Sequence, residues 1–148
     1  QPLAMNNTVG FVDGVNTIPH RAYGYSVVGE EVTESDQSRT SAVLADGGIY
    51  SNIEDILKWD RALAAGHLVS TELQELMFKP GHGNYGYGWW IDQFEGKLRT
   101  RHTGSTSGFR TVLHRYPETG LTVLILTNRR RPDLSEKAEI IARLFLND

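Results

Sequence analysis

The chain has 148 residues, a formal net charge of −3 and no cysteine. That length suits one domain, the lack of thiols excludes disulfides, thiolate zinc sites, iron–sulfur clusters and a cysteine nucleophile, and the acidic balance argues against a general nucleic-acid binder. No apolar run is longer than Val123–Leu126, far short of the roughly 18 residues a transmembrane helix needs. The compartment stays open, because a protein without thiols works in either redox environment. Glycine is over-represented, at 15 residues. Eight of these fall between Gly81 and Gly120, which points to tight turns and close backbone approach there.

The chain opens Gln1-Pro2-Leu3, with no initiator methionine and no leader pattern. The expectation is that processing or the choice of start set this end, and that 148 is less than the native length. Residues 1–50 read as an irregular lead-in, in which stretches such as Ala22–Val28 could form short strands. Glu30 to Thr40, with acids at Glu30, Glu31, Glu34 and Asp36, reads as a surface loop.

Residues 51–80 read as helical. Ser51 and Glu54 form a capping box. Ile53, Ile56, Leu57, Ala62 and Leu63 follow near helical spacing, and Gly66 can end the helix in the left-handed conformation. The spacing predicts a helix over 52–65. Thr71 and Gln74 repeat the cap before Leu73, Leu76 and Met77, and Pro80 stops that shorter helix.

Residues 81–128 read as an antiparallel sheet. The strands are Tyr85–Asp92, Lys97–Thr103, Phe109–Tyr116 and Leu121–Asn128, with turns at Glu95-Gly96 and Pro117–Gly120. Residues 132–147 form a last helix, capped by Asp133 and Glu136, with Leu134, Ala138, Ile141, Leu144 and Phe145 on one face. Leu121–Asn128 is apolar on both faces, as in a covered, central strand. Nothing later in the sequence can pair with its outer side, so the sheet reads as missing a strand or two. This edge is expected to pair with a second copy of the chain or to be capped by residues 1–50.

The chemistry-bearing segment is Arg101-His102-Thr103-Gly104-Ser105-Thr106-Ser107-Gly108-Phe109. A basic residue, a hydroxyl and a glycine at a strand end make an anion-binding edge. Gly104 gives clearance for a ligand, and exposed N–H groups after it could serve an oxyanion. On these residues alone, a Gly/Ser/Thr-rich hairpin loop with a surface histidine is the simpler reading.

The surroundings change that weighting. Pro2-Leu3-Ala4-Met5-Asn6-Asn7-Thr8 is similar to a Pro-Leu-Gly-Met-x-x-Thr motif, with Ala4 in place of glycine. Asp46-Gly47-Gly48-Ile49-Tyr50-Ser51 with Asp55, Ile56 and Trp59, then Tyr85-Gly86-Tyr87-Gly88-Trp89, then His102-Thr103-Gly104 through Gly108-Phe109 with Pro117 and Leu126-Thr127-Asn128, follow in matching order. Together they resemble the C-terminal portion of the serine β-lactamase and penicillin-binding-protein-like family, closest to class C and its esterase and D-amino-acid-peptidase relatives.

The resemblance implies an α+β, β-lactamase/transpeptidase-like antiparallel sheet with flanking helices. It would be incomplete, with the N-terminal strands and the nucleophile helix absent. Such enzymes form an acyl-enzyme on the serine of Ser-x-x-Lys, helped by Tyr-x-Asn. The four lysines here, Lys58, Lys79, Lys97 and Lys137, follow Asp55, Leu76, Phe94 and Leu134 by three residues, so the motif does not occur. Tyr50-Ser51-Asn52 spells Tyr-x-Asn but stands after Met5 instead of before it, and reads better as a helix start. Gly104–Gly108 resembles a nucleophile elbow but has Thr106 at its centre and joins two strands.

The implied account is a fragment of a serine hydrolase, inactive as this piece alone. The alternative is a non-catalytic binding or interaction module on the same scaffold. By resemblance, His102 stands for the usual lysine and faces the substrate carboxylate or the catalytic tyrosine. Thr103 bonds that carboxylate, Gly104 gives clearance, and the Ser105 N–H supplies half of an oxyanion hole. A histidine in place of lysine is expected to make the parent's activity more pH-dependent near neutrality, and an identical pH–rate profile in His102→Lys contradicts this. The implied partner is a small molecule: a β-lactam, a D-amino-acid peptide or an ester. No cofactor, nucleic acid or membrane span is implied, and export to the periplasm or beyond follows from the resemblance alone.

His20, His67, His82 and His114 show no spacing for a metal site, and His114 reads as a strand residue facing solvent. Tyr85, Tyr87, Trp89 and Trp90 could form a ligand wall, with core packing or cross-strand pairing the simpler reading. Arg129-Arg130-Arg131 reads as solvated charge.

Overall fold

The computed structural model describes residues 2–12, 14–37, 47–131 and 133–146. Parts of three expectations fall outside them: the last three residues of Glu30–Thr40, Asp46 of the Asp46-Gly47-Gly48 motif, and both ends of the 132–147 segment. The fold is α+β. In chain order it runs β1 (Val9–Gly10), β2 (Tyr25–Val28), β3 (Glu31–Glu34), β4 (Ile49–Tyr50), α1 (Ile53–Ala64), α2 (Thr71–Met77), β5 (Trp90–Phe94), β6 (Lys97–Thr106), β7 (Phe109–Tyr116), β8 (Leu121–Thr127) and α3 (Leu134–Leu146). It divides into two compact units, one of residues 1–61, 104–110 and 126–132, the other of 62–103, 111–125 and 133–148.

In the first unit a network of hydrogen bonds ties α1 to the start of the chain. Asp55 is fully buried on α1. It accepts from Lys58 Nζ at 2.8 Å, Asn7 N–H at 2.8 Å and Thr8 Oγ1 at 3.0 Å. Ser51 Oγ lies 2.7 Å from Thr8 Oγ1; since Thr8 donates its one proton to Asp55, Ser51 donates to Thr8. Lys58 also donates to Ala4 O at 2.8 Å. The Lys58 bond, aided by those from Asn7 and Thr8, outweighs burial and holds the Asp55 carboxyl below its ordinary pKa. The Pro2–Thr8 segment is thereby pinned to the helix. Ala4, where the resembling motif has glycine, takes a φ of +49°, a left-handed conformation that suits glycine better.

Two of the three helix caps fall one residue from the expected position. Asn52 Oδ1 accepts from Asp55 N–H at 2.9 Å, so Asn52 caps α1 while Ser51 is occupied with Thr8. Ser70, not Thr71, caps α2 by accepting from Leu73 N–H. Asp133 caps α3, accepting from Ser135 N–H at 2.9 Å. Gly66 ends α1 with φ +72°, as expected. Glu31–Glu34 is a strand, not a loop. It pairs antiparallel with β2, Tyr25 opposite Glu34, and all four of its residues are exposed.

The four-stranded sheet has the order β5-β6-β7-β8. β5 and β6 turn through Glu95-Gly96, both at positive φ, with Phe94 opposite Lys97. The expected strand Tyr85–Asp92 begins later, at Trp90. Tyr85 makes only an isolated bridge to Trp90. Gly86 explains the break: a Cβ there would lie 2.3 Å from the Met77 carbonyl oxygen, so the backbone is pressed against the end of α2.

α3 covers one sheet face. Leu134, Ala138 and Ala142 pack on Val112, Tyr116 and Val123, with Phe94, Leu121, Ile125 and Leu146 around them. Ile141, Leu144 and Phe145, expected on the buried side, are exposed. The small side chains at 138 and 142 let the helix come close to the sheet, which turns the bulky ones outward. On the other side Trp89 is buried against Phe78, with ring centroids 6.0 Å apart.

His114 does not face solvent. It is fully buried, on the sheet face that carries Val112 and Tyr116. Burial, with the charges of Arg99 and Arg101, depresses its pKa to about 4.

Among the described residues β8 is an edge strand whose one neighbour in the sheet is β7. The described part of residues 1–50 meets it past its end, where Tyr25 N–H donates to Asn128 O at 2.9 Å and Arg130 N–H donates to Tyr25 O at 3.0 Å.

Candidate active site

β6 runs to Thr106, three residues past its expected end at Thr103, so His102, Thr103, Gly104 and Ser105 sit in succession on one strand. β6 pairs with β5 from Lys97 to Arg101, the last pair being Trp90 with Arg101. From His102 onward β6 has no strand on that side among the described residues. His102, Thr103 and Ser105 are exposed, and Gly104 is half-buried. Among the described residues the Thr103 and Ser105 hydroxyls have no hydrogen-bond partner, so both can take an external one. Pleating places neighbouring side chains on opposite faces, so Thr103 and Ser105 share one face and His102 and Gly104 the other.

Both ring nitrogens of His102 are engaged. Nε2 lies 2.9 Å from Tyr85 Oη, and Nδ1 lies 2.8 Å from Thr103 O. Tyr85 is held edge-on against Trp90, at 4.9 Å between centroids, and against His102 at 6.0 Å. The aromatic group therefore splits. Trp89 is core, while Tyr85 contacts both Trp90 and His102, and Tyr87 is exposed. Sequence reasoning missed Tyr85 as the partner of His102, because 17 residues separate them. Register alone brings the start of β5 alongside Arg101.

Upstream of the motif, β6 is fixed by charge. Arg99 is buried. It donates through Nε and Nη2 to both oxygens of Asp92, at 2.7 and 2.8 Å, and through Nη1 to Glu139 on α3 at 2.8 Å. Asp92 is its cross-strand partner. Arg101 Nε adds a bond to Asp92 at 2.9 Å. Burial opposes ionisation of Asp92, but the Arg99 and Arg101 bonds outweigh it and keep the carboxyl below its ordinary pKa. Arg99 is shifted upward, since the carboxylate bonds overcome its burial.

Downstream, the turn after β6 is fixed by backbone contact. Gly108 N–H donates to Ser35 O at 2.7 Å, and Ser35 N–H to Gly24 O at 2.8 Å. A Cβ on Gly108 would lie 2.3 Å from Tyr25 N and 2.5 Å from Gly24 C, so only glycine fits without moving backbone.

An α+β fold with a helix-covered antiparallel sheet and a His-Thr-Gly run on an inner strand defines a protein of the β-lactamase/transpeptidase type. The chain belongs to the Beta-lactamase family, which it matches over residues 1–147. It is 28% identical over 137 residues to Penicillin-binding protein 4* of Bacillus subtilis (strain 168), a match covering 82% of this chain and 30% of that protein. The octameric penicillin-binding protein homologue of Pyrococcus abyssi superposes with a TM-score of 0.82 at 27% identity, over 99% of this chain and 35% of that one. The D-amino acid amidase of Ochrobactrum anthropi SV3 shares the fold, with a TM-score of 0.81 at 21% identity over 99% of this chain and 49% of that one. The chain thus spans about a third of the length of the curated relative.

Proposed function

We propose that this chain is the C-terminal part of a serine hydrolase of the β-lactamase, D-alanyl-D-alanine carboxypeptidase or esterase type. The parent acts through an acyl-enzyme, and this piece alone is inactive. The observation that carries the reading is the side of β6 left free among the described residues from His102 onward, where the exposed Thr103 and Ser105 hydroxyls have no partner among those residues, inside a family of such hydrolases. Thr103 binds the substrate carboxylate, Gly104 gives clearance, and the Ser105 N–H forms half of the oxyanion hole. The serine that completes the hole and attacks the acyl carbon comes from outside these residues. One oxyanion donor is worth roughly 3 kcal/mol in the transition state, so half a hole without a nucleophile gives no acyl transfer. Substrates are small β-lactams, D-amino-acid peptides or esters.

In the parent, Thr103→Val is expected to lower kcat/KM about ten- to a hundredfold for a substrate with a free carboxylate, the worth of a hydrogen bond to a charged group. An uncharged ester should be little affected. Equal loss on both substrates contradicts the role given to Thr103.

The second reading, a non-catalytic module, is favoured by the missing Ser-x-x-Lys. A start codon immediately before Gln1 supports it; a Ser-x-x-Lys and a Tyr-x-Asn encoded upstream support the hydrolase. The apolar β8 edge also supports self-association of the chain, and the Pyrococcus relative is octameric.

A further inference from the structure

We propose that Tyr85 is a positioning residue for His102, fixing the neutral imidazole in its Nδ1–H tautomer. A carbonyl oxygen only accepts, so the 2.8 Å contact from Nδ1 to Thr103 O places the ring proton on Nδ1. Nε2 of the neutral ring then carries a lone pair, and the Tyr85 hydroxyl, 2.9 Å away, must donate to it. The two contacts select the same tautomer from opposite sides of the ring.

Tyr85 is itself well held. Its carbonyl accepts from Gly81 N–H at 3.1 Å and its N–H donates to His82 O at 3.2 Å. Its ring lies edge-on to Trp90, which faces Arg101 across the β5–β6 pair. The hydroxyl therefore approaches His102 from a fixed point.

The consequence deepens the hydrolase reading and rests on it for its functional weight. Neutral His102 offers a substrate neither a free lone pair nor a free N–H. The group this corner presents is the Tyr85 oxygen, whose proton is committed to Nε2 and whose remaining lone pair accepts. His102 then contributes through Tyr85, and a substrate N–H suits the corner better than a carboxylate does. The carboxylate is left to Thr103.

The test is nuclear magnetic resonance on the 148-residue chain labelled with 15N-histidine, using long-range 1H–15N correlations of the neutral rings. The expected result is His102 mainly as Nδ1–H. In Tyr85→Phe, which keeps the ring contacts, the tautomer ratio should move about fivefold toward Nε2–H, the worth of one hydrogen bond. Dispersed indole signals of Trp89 and Trp90 report that the variant folds. Wild-type His102 mainly as Nε2–H, or an unchanged ratio in folded Tyr85→Phe, overturns the proposal. If Tyr85→Phe does not fold, the wild-type tautomer alone decides. A parent that forms no acyl-enzyme while His102 keeps the Nδ1–H form overturns the hydrolase reading and leaves this one standing.

Discussion

Arg99→Leu is expected to destabilise the chain by about 3 kcal/mol, the low end of what stranding partners of a buried ion pair costs. The low end applies because Asp92 and Glu139 keep 28% and 30% side-chain exposure, whereas Arg99 keeps 7%. Removing the guanidinium leaves Glu139 without its bond from Nη1 and leaves Asp92 with Arg101 alone. The Arg99 guanidinium also lies over the Phe94 ring at 5.0 Å, so packing is lost with the charge. Chemical denaturation at neutral pH measures the cost. Arg99→Met combined with Glu139→Leu should recover part of it, because no carboxylate is then stranded on α3. A single-variant loss under 1 kcal/mol means that the pairs carry no net stability. Arg99 lies three residues before His102, so the same variant should loosen the site strand.

Acid is expected to weaken the fold through His114. Its pKa is about 4 in the folded chain and about 6.5 in an unfolded one. The unfolded state therefore binds a proton first as pH falls. The stability tied to a neutral His114 is fully present above pH 6.5, falls as pH drops below that value, and is gone below about 4. The amount is about 3 kcal/mol. His114→Leu removes this dependence. Subtracting its denaturation free energies from those of the wild type between pH 7 and 4 isolates the effect from the carboxylates. At pH 7 the leucine should cost little, since neither ring nitrogen of His114 has a hydrogen-bond partner among the described residues. Parallel pH curves for the two proteins contradict the assignment.

His114 also shows why part of the fold was hidden from the sequence. Phe109–Tyr116 was legible as a strand to the residue, because its β-branched and aromatic residues stand between turns. Which face was buried was not legible. A helix over the even-numbered side buries His114 with Val112 and Tyr116, and only the docking of α3 reveals that. The same limit applies to α3. Its span was readable from its cap and its period, but its buried stripe follows Ala138 and Ala142, not the larger Leu144 and Phe145. The α1 cap moved by one residue because the Ser51 hydroxyl is engaged elsewhere. Ser51 bonds Thr8, which comes from 43 positions away.

The site divides in the same way. His102 to Ser105 was visible as a local motif, since local order is what a motif records. Its supports were not, because they are contacts between distant segments: Tyr85 with His102, Glu139 with Arg99, and Ser35 with Gly108. Gly86 hid the true start of β5 in the same manner, through a backbone contact with Met77 that no pattern of side chains encodes.

The proposed role of these residues is one wall of an acyl-transfer site whose nucleophile lies elsewhere in a longer polypeptide. Intact-mass spectrometry tests it most directly. The parent polypeptide and the 148-residue chain are each incubated with a penicillin, a D-alanyl thioester and an activated aryl ester. The expected result is a covalent acyl adduct on the parent with at least one of the three, placed on a serine upstream of Gln1, and none on the chain. An adduct on the chain itself, or no adduct on the parent with any of the three, contradicts it.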